Sequence, residues 1–150
     1  MGFSKDPETR FVRFKQILVV DQDEAWALVM RDAVARGGFC VVLSTSIEDA
    51  VRTLREQAPD LLLVSCLLDG QASEMLLREI DGLKNAPPVV LVGFKDGDPR
   101  WETWKPRSFV TVVRQPFKSE DVLEVVRVLL ESSWEDPAGD MGRGPRTPTP

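Results

Sequence analysis

The amino-acid sequence predicts an α/β protein, in which helices cover both faces of a single doubly wound, five-stranded parallel sheet. Three observations predict this fold. Short apolar runs rich in Val, Leu and Ile alternate with stretches whose apolar residues recur at helical spacing. Short turn-forming segments connect the two kinds of stretch. The apolar runs are continuous, which is typical of strands that are buried on both faces of a parallel sheet.

Five strands are expected, each followed by a helix. The predicted strands cover residues 16–21, 39–43, 61–64, 89–92 and 109–113. The first predicted helix carries Trp26, Val29, Met30, Ala33 and Val34 on one stripe, and it ends at Gly37-Gly38. Ser46 and Ser119 are expected to cap the second and fifth helices. The fourth helix, between Pro99 and Pro106, is predicted to be short and irregular because proline ends a helix.

Composition narrows the classes of function. The chain has 150 residues, 43% of them hydrophobic, a net charge of -5 and no histidine. The length fits one domain, and an acidic balance argues against nucleic acid as a partner. The missing histidines remove the commonest general base and the commonest metal ligand. No nucleophile–base pair, phosphate-binding glycine loop or metal cluster is visible, so we expect no enzyme, no cofactor and no metal.

The two ends of the chain differ from its centre. Residues 1–13 are predicted to be a flexible extension, residues 14–134 the folded domain, and residues 135–150 a disordered tail rich in Pro and Gly. Cys40 and Cys66 lie in apolar runs and are expected to be small buried residues in a reducing compartment. No apolar stretch reaches the ~20 residues of a membrane span, and no signal peptide is recognisable. We therefore expect a cytoplasmic protein.

Polar residues follow the predicted strands where these end. Asp21, Gln22 and Asp23 follow the first strand and Ser65 the third. Gly93 and Gln115 follow the fourth and fifth. Ligands of open parallel sheets bind beyond the carboxyl ends of the strands, so these positions predict a pocket.

Four of these segments resemble the signature segments of bacterial response-regulator receiver domains. They are residues 17–21, 59–65, 88–93 and 115–117, and the resemblance extends over roughly residues 14–132. In that family an acidic pair holds magnesium, an aspartate accepts phosphate, and a hydroxyl residue and a lysine contact the phosphoryl group. The resemblance places these roles on Asp21 and Gln22, then on Ser65, Gly93 and Gln115, so that only Asp21 keeps the family's residue.

These replacements imply a degenerate or pseudo-receiver domain. Magnesium binds anionic oxygens, and Gln22 and Ser65 are neutral. Phosphoryl transfer needs charge neutralisation, which Gln115 cannot provide as a lysine would. Ser65 cannot form an acyl phosphate, because it has no carboxylate. Three alternatives remain open: phosphorylation of Ser65 by a dedicated kinase, a relocated acceptor or metal site at Asp23 or Asp69, and a small ligand held by Ser65, Gln22 and Gln115. The structural interpretation of Asp23 and Asp69 is a helix cap or a solvated loop acid.

The resemblance also implies a cis peptide bond before Pro116 and a signalling face on the fourth helix, fifth strand and fifth helix. The candidate interaction residues there are Trp101, Trp104, Phe109, Val125 and Val128. The alternative is that one of these tryptophans fills the core, as Trp26 is expected to do on the first helix. We expect phosphorylation-independent binding of a protein partner in bacterial signalling or cell organisation, with a homodimer left open.

Overall fold

The computed structural model describes residues 14–65 and 68–133. The predicted flexible segment 1–13, the predicted tail 135–150 and Cys66 lie outside these ranges. Strands and helices alternate in the described part of the chain. The strands are β1 (Gln16–Val20), β2 (Cys40–Ser44), β3 (Leu61–Ser65), β4 (Val89–Phe94) and β5 (Val110–Arg114). The helices are α1 (Glu24–Ala35), α2 (Ile47–Gln57), α3 (Gly70–Asp81), α4 (Trp101–Trp104) and α5 (Ser119–Ser133).

All five strands form one parallel sheet in the order β2-β1-β3-β4-β5. Leu18 on β1 pairs with Val42 on β2 and with Leu62 on β3. The predicted fold is therefore confirmed. The strand order reverses direction at β1, so the carboxyl ends of β1 and β3 border the switch point at which such sheets bind ligands.

The central strands are buried on both faces because two separate cores cover the sheet. On one face Leu18, Val20 and neighbouring strand residues pack against α2, α3 and α4. On the other face Ile17 and Val19 pack with Met30 and with the buried side of α5. This double burial explains why the strand sequences are continuous apolar runs and do not alternate.

Side-chain caps begin three of the helices. Asp23 accepts a hydrogen bond from the backbone N–H of Trp26, and Ser46 accepts one from Asp49. Asp69 accepts one from Ala72. The caps satisfy backbone donors that have no partner within the helix. The sequence-based interpretation of Asp23 as a helix cap is thus correct, and Asp69 has the same role.

The buried face of α1 differs from the predicted stripe. Ala27, Met30, Ala33 and Val34 are buried, whereas Trp26 is 39% exposed and Val29 is 49% exposed. Trp26 does not fill the core, because it lies on the edge of the helix and stacks on Phe117, with 6.1 Å between ring centroids. Cys40 is likewise exposed and not buried, since it begins the edge strand β2.

Trp104 is the tryptophan that fills the core. It is 1% exposed and packs in the core formed with α2 and α3, so its assignment to an interaction face is wrong. Helix α4 is a single short turn, and burying this indole is what fixes that turn to the sheet. Trp101 is partly buried against the same core, and the Arg114 guanidinium lies 5.7 Å from its ring centroid.

We expect Trp104→Ala to lower the free energy of unfolding by about 3–5 kcal/mol, because it removes a fully buried aromatic side chain. Trp101→Ala is the matched control. It should cost about 1–2 kcal/mol, since part of that side chain already contacts water. Urea unfolding followed by far-UV circular dichroism measures both without relying on indole fluorescence. Equal costs for the two variants would contradict the assignment of Trp104 to the core.

Candidate functional site

The carboxyl ends of four neighbouring strands meet at one edge of the sheet. Asp21 follows β1, Ser65 ends β3, Gly93 lies near the end of β4, and Gln115 follows β5. Gln22 continues the chain from Asp21 towards α1. The sequence-predicted pocket positions are therefore close together in space, as the parallel topology requires.

Asp21 is a buried carboxyl group at the base of this site. It is fully buried, and its Oδ1 accepts a hydrogen bond of 2.9 Å from the backbone N–H of Asp23. Its Oδ2 has no hydrogen-bond partner among the described residues. Burial raises the pKa of Asp21, and the hydrogen bonds from the Asp23 backbone and the Ser65 hydroxyl offset only part of this effect. The site thus holds one carboxyl group for which ionisation is unfavourable.

Gln22 uses its side chain to join two loops. Its Oε1 accepts a hydrogen bond of 3.0 Å from the backbone N–H of Asp69, in the loop that follows β3. The carboxylate of Asp69 in turn caps α3 through the N–H of Ala72, at 2.8 Å. Both acids considered as relocated acceptors, Asp23 and Asp69, are therefore bound to helix N-termini.

Gly93 and Gln115 form a second unit. Gly93 has a φ of +96°, and the pairing of β4 with β5 shifts between Val92 and Phe94, as in a β-bulge. Glycine adopts this conformation without the steric cost that a Cβ atom would add. The Nε2 of Gln115 donates a hydrogen bond of 2.8 Å to the carbonyl oxygen of Gly93. The Gln115–Pro116 peptide bond is cis, the conformation expected at this position.

Arg100 completes the arrangement, and sequence reasoning missed it. Its guanidinium donates to the carbonyl oxygen of Leu68 at 3.2 Å and pairs with Asp98 at 2.7 Å. The same group lies 5.0 Å from the centroid of the Phe94 ring. Asp98 and Arg100 are close in sequence, so their pairing was open to prediction. The contact with Leu68 depends on the fold and left no signal in the sequence.

The loop after β3 is consequently held from two sides. Gln22 binds its backbone at Asp69, and Arg100 binds it at Leu68. These two hydrogen bonds join the loops that follow β1, β3 and β4. No ligand is needed to make either bond.

The residues at this edge do not fit a magnesium ion. Magnesium prefers several hard oxygen ligands, and Asp21 supplies one carboxyl group whose ionisation burial disfavours. The amide oxygen of Gln22 is already bonded to Asp69. Within residues 14–65 and 68–133, no group of three His, Cys, Asp or Glu side chains is placed to hold a metal.

A small cavity opens beside Ser65. Its volume is about 70 Å³, and most of its wall is apolar. The lining residues are Trp26, Met30, Ser65, Val92, Gly93, Gln115 and Phe117. The sequence placed Ser65, Gly93 and Gln115 here, whereas the three large apolar residues were not predicted, because they come from α1 and from the turn before α5.

The predicted interaction face contains few exposed apolar side chains. Trp101, Phe109 and Val125 are partly buried against the two cores, and Trp104 is buried. Val128 is exposed, at 44%. The nearby basic residues contact acids: Lys105 pairs with Glu102, Arg107 with Asp81, and Arg114 with Asp96.

We expect Asp21→Asn to stabilise the protein at neutral pH. Because the pKa of Asp21 is raised in the folded state, its contribution to stability is complete below the ordinary value of 3.8 and is lost as pH rises through the raised pKa. The difference in the free energy of unfolding between variant and parent should therefore grow in favour of the variant with rising pH. Urea titrations from pH 4 to pH 8 measure it. A difference that stays constant over this range would contradict the burial argument.

We expect Gly93→Ala to lower the free energy of unfolding by about 1–2 kcal/mol, because an L side chain is strained at a φ of +96°. Gly70→Ala is the matched control, since Gly70 begins α3 with open space where its Cβ would lie. That control should be neutral or slightly stabilising. Chemical denaturation compares the two, and a neutral Gly93→Ala would show that the bulge is not required.

Comparison with known proteins agrees with this architecture. No family model matches the sequence. A signal receiver domain from Vibrio parahaemolyticus has a TM-score of 0.71 at 15% identity, over 85% of this chain and 98% of that one. A response regulator receiver domain from Bermanella marisrubri has a TM-score of 0.64 at 22% identity, over 79% and 99%. A receiver domain protein from Methanospirillum hungatei has a TM-score of 0.68 at 18% identity, over 81% and 98%. The protein thus has the α/β fold of response-regulator receiver domains.

Proposed function

We propose that this protein is a non-catalytic signalling module of the receiver type, which recognises a protein partner without being phosphorylated. The proposal rests on one observation: the residues at the pocket positions form hydrogen bonds within the chain. Gln22, Gly93 and Gln115 are all engaged in hydrogen bonds within the chain, at sites where receiver chemistry requires groups that face a phosphoryl ligand. A cytoplasmic, bacterial setting belongs to the same proposal.

Charge at the site supports this function. A phosphoryl group carries negative charge that must be neutralised by a metal ion or by basic side chains. Asp21 supplies no positive charge to it, and Gln115 offers a neutral amide that is already bonded to Gly93. The nearby guanidinium of Arg100 is paired with Asp98, which lowers the pKa of that carboxyl group. A phosphorylated Ser65 would therefore lie next to a buried acid, in a cavity with no Lys or Arg among its described lining residues.

The backbone at Gly93 gives independent support. In receiver domains a hydroxyl residue at this position couples phosphorylation to the signalling face. Here the backbone has a φ of +96° and a shifted strand register, a conformation that serine and threonine adopt only with strain. Regaining the coupling would require a rebuilt end of β4 as well as a new side chain.

The two hydrogen bonds to Leu68 and Asp69, in the loop after β3, support an arrangement that forms without a ligand. Gln22 and Arg100 hold this loop through Asp69 and Leu68 without a metal or a phosphoryl group. A surface that needs no ligand to form is available to its partner at all times. The extent of binding would then depend on the concentrations of the two proteins.

We expect beryllofluoride with Mg²⁺ to leave the protein unchanged, because the charged groups that would hold this phosphoryl mimic are missing. Two-dimensional NMR of the full chain measures this through the Gly93 amide and the indole N–H of Trp26, which belong to two residues that line the cavity beside Ser65. A receiver domain with the complete acidic pocket, treated in the same way, serves as the positive control.

The Ser65→Asp variant sharpens this test. It restores the acceptor carboxylate alone, and we expect it to remain unresponsive because Gly93 and Gln115 still lack their phosphoryl-binding groups. Saturable shifts in the parent protein at millimolar Mg²⁺ would contradict the proposed function. Shifts in Ser65→Asp alone would show that the acceptor is the sole missing part.

A further inference from the structure

The cavity beside Ser65 has walls unlike those of a phosphoryl-binding pocket. Trp26 and Met30 form one side, Val92 lies on the sheet, and Phe117 closes the side next to α5. Trp26 and Phe117 stack on each other at an interplanar angle of 27°. Among the described lining residues, Ser65 and Gln115 carry polar side chains, and Gly93 offers its backbone.

Apolar walls of this kind favour an apolar occupant. Water in a cavity needs two to four polar partners, and most of this lining offers none. Replacing poorly held water by an apolar group is favourable, as it is in preformed ligand pockets generally. The few polar groups lie together, so they would fix the orientation of one polar end of a ligand.

The volume limits what can enter. A cavity of 150 Å³ holds a benzene ring, and this one measures about 70 Å³, which on the same scale leaves room for roughly three non-hydrogen atoms. The isopropyl end of an isobutyl group has this size. Trp26 is 39% exposed, so the cavity is close to solvent and the rest of a longer molecule can extend outwards.

The described lining of the cavity disfavours a charged ligand. Among residues 14–65 and 68–133, no Lys, Arg, Asp or Glu side chain lines it, so a charged ligand would lose hydration without gaining a partner there. Asp21 lies one hydrogen bond behind Ser65 and offers no positive charge to an anion. A neutral polar group such as a hydroxyl suits Ser65 and Gln115 better than a carboxylate does.

We propose that this cavity binds a small, neutral, branched aliphatic molecule, with its apolar end between Trp26, Met30 and Val92 and its polar end at Ser65 and Gln115. This site is additional to the proposed protein-binding function and does not depend on it. Its ligand would touch Trp26, which also belongs to the exposed surface of α1 together with Val29, at 49% exposure. Occupancy of the cavity would thereby alter a surface that a partner can reach.

The test uses three probes of one shape: isobutanol, isobutyrate and isobutylamine, which is protonated at neutral pH. NMR titration of the full chain follows the Trp26 indole N–H and the Gly93 amide. We expect saturable shifts with isobutanol at millimolar concentrations and at least fivefold weaker binding of both charged probes. Shifts that increase linearly with isobutanol, or tighter binding of either charged probe, would overturn the proposal.

Two variants locate the site. Val92→Ile adds a methylene group to the cavity wall and should weaken isobutanol binding at least fivefold, whereas Val90→Ile adds the same group to the same core away from the cavity and should leave it unchanged. Trp26→Ala removes one wall of the cavity, and the fold should tolerate it because Trp26 is partly exposed. It should also weaken isobutanol binding, measured through the chemical shift of the Gly93 amide. Unchanged affinity in both Val92→Ile and Trp26→Ala would place the probe elsewhere.

Discussion

Burial of the Asp21 carboxyl group is the constraint to which the rest of this site responds. Parallel strands covered on both faces bring their carboxyl ends together where little water remains, so any charge placed there must be paired or lose its ionisation. Asp21 obtains hydrogen bonds from the Asp23 backbone and from Ser65, but pairs with no cation among the described residues. A second or third carboxylate nearby would add repulsion to this cost. The buried acid therefore favours neutral neighbours such as Gln22 and Ser65.

The residues around Asp21 also join parts of the chain that are far apart in the sequence. Gln22 and Arg100 both reach the loop after β3, and Gln115 satisfies the carbonyl oxygen of Gly93. Each of these hydrogen bonds joins two residues that are between 22 and 47 positions apart in the sequence. Bonds over such separations order loops relative to one another, and this is why the site can hold its shape while empty.

Local patterns in the sequence were sufficient for the fold and for the choice of site. Continuous apolar runs predict doubly buried strands, and Ser46 and Asp23 predict helix starts, because these signals act within a few residues. These local signals could not predict that Trp104 fills the core and that Trp26 is partly exposed. For Trp26, helical periodicity identifies the apolar side of α1 but not which neighbouring element covers the edge of that side. For Trp104, the single turn of α4 is too short to show any periodicity. The bulge at Gly93 likewise depends on its pairing with β5.

The proposed function, in which the phosphoryl chemistry is lost, also accounts for the cavity. A receiver pocket must expose charged and hydroxyl groups, and each of these occupies volume and holds water. At Gly93 the side chain is absent altogether, and at Gln115 the amide turns towards a backbone carbonyl. The space that remains is lined by whatever apolar residues lie around it, here Trp26, Phe117 and Val92. If the proposal holds, a scaffold that gives up binding an anion acquires an apolar site at the same place, without any further change to its fold.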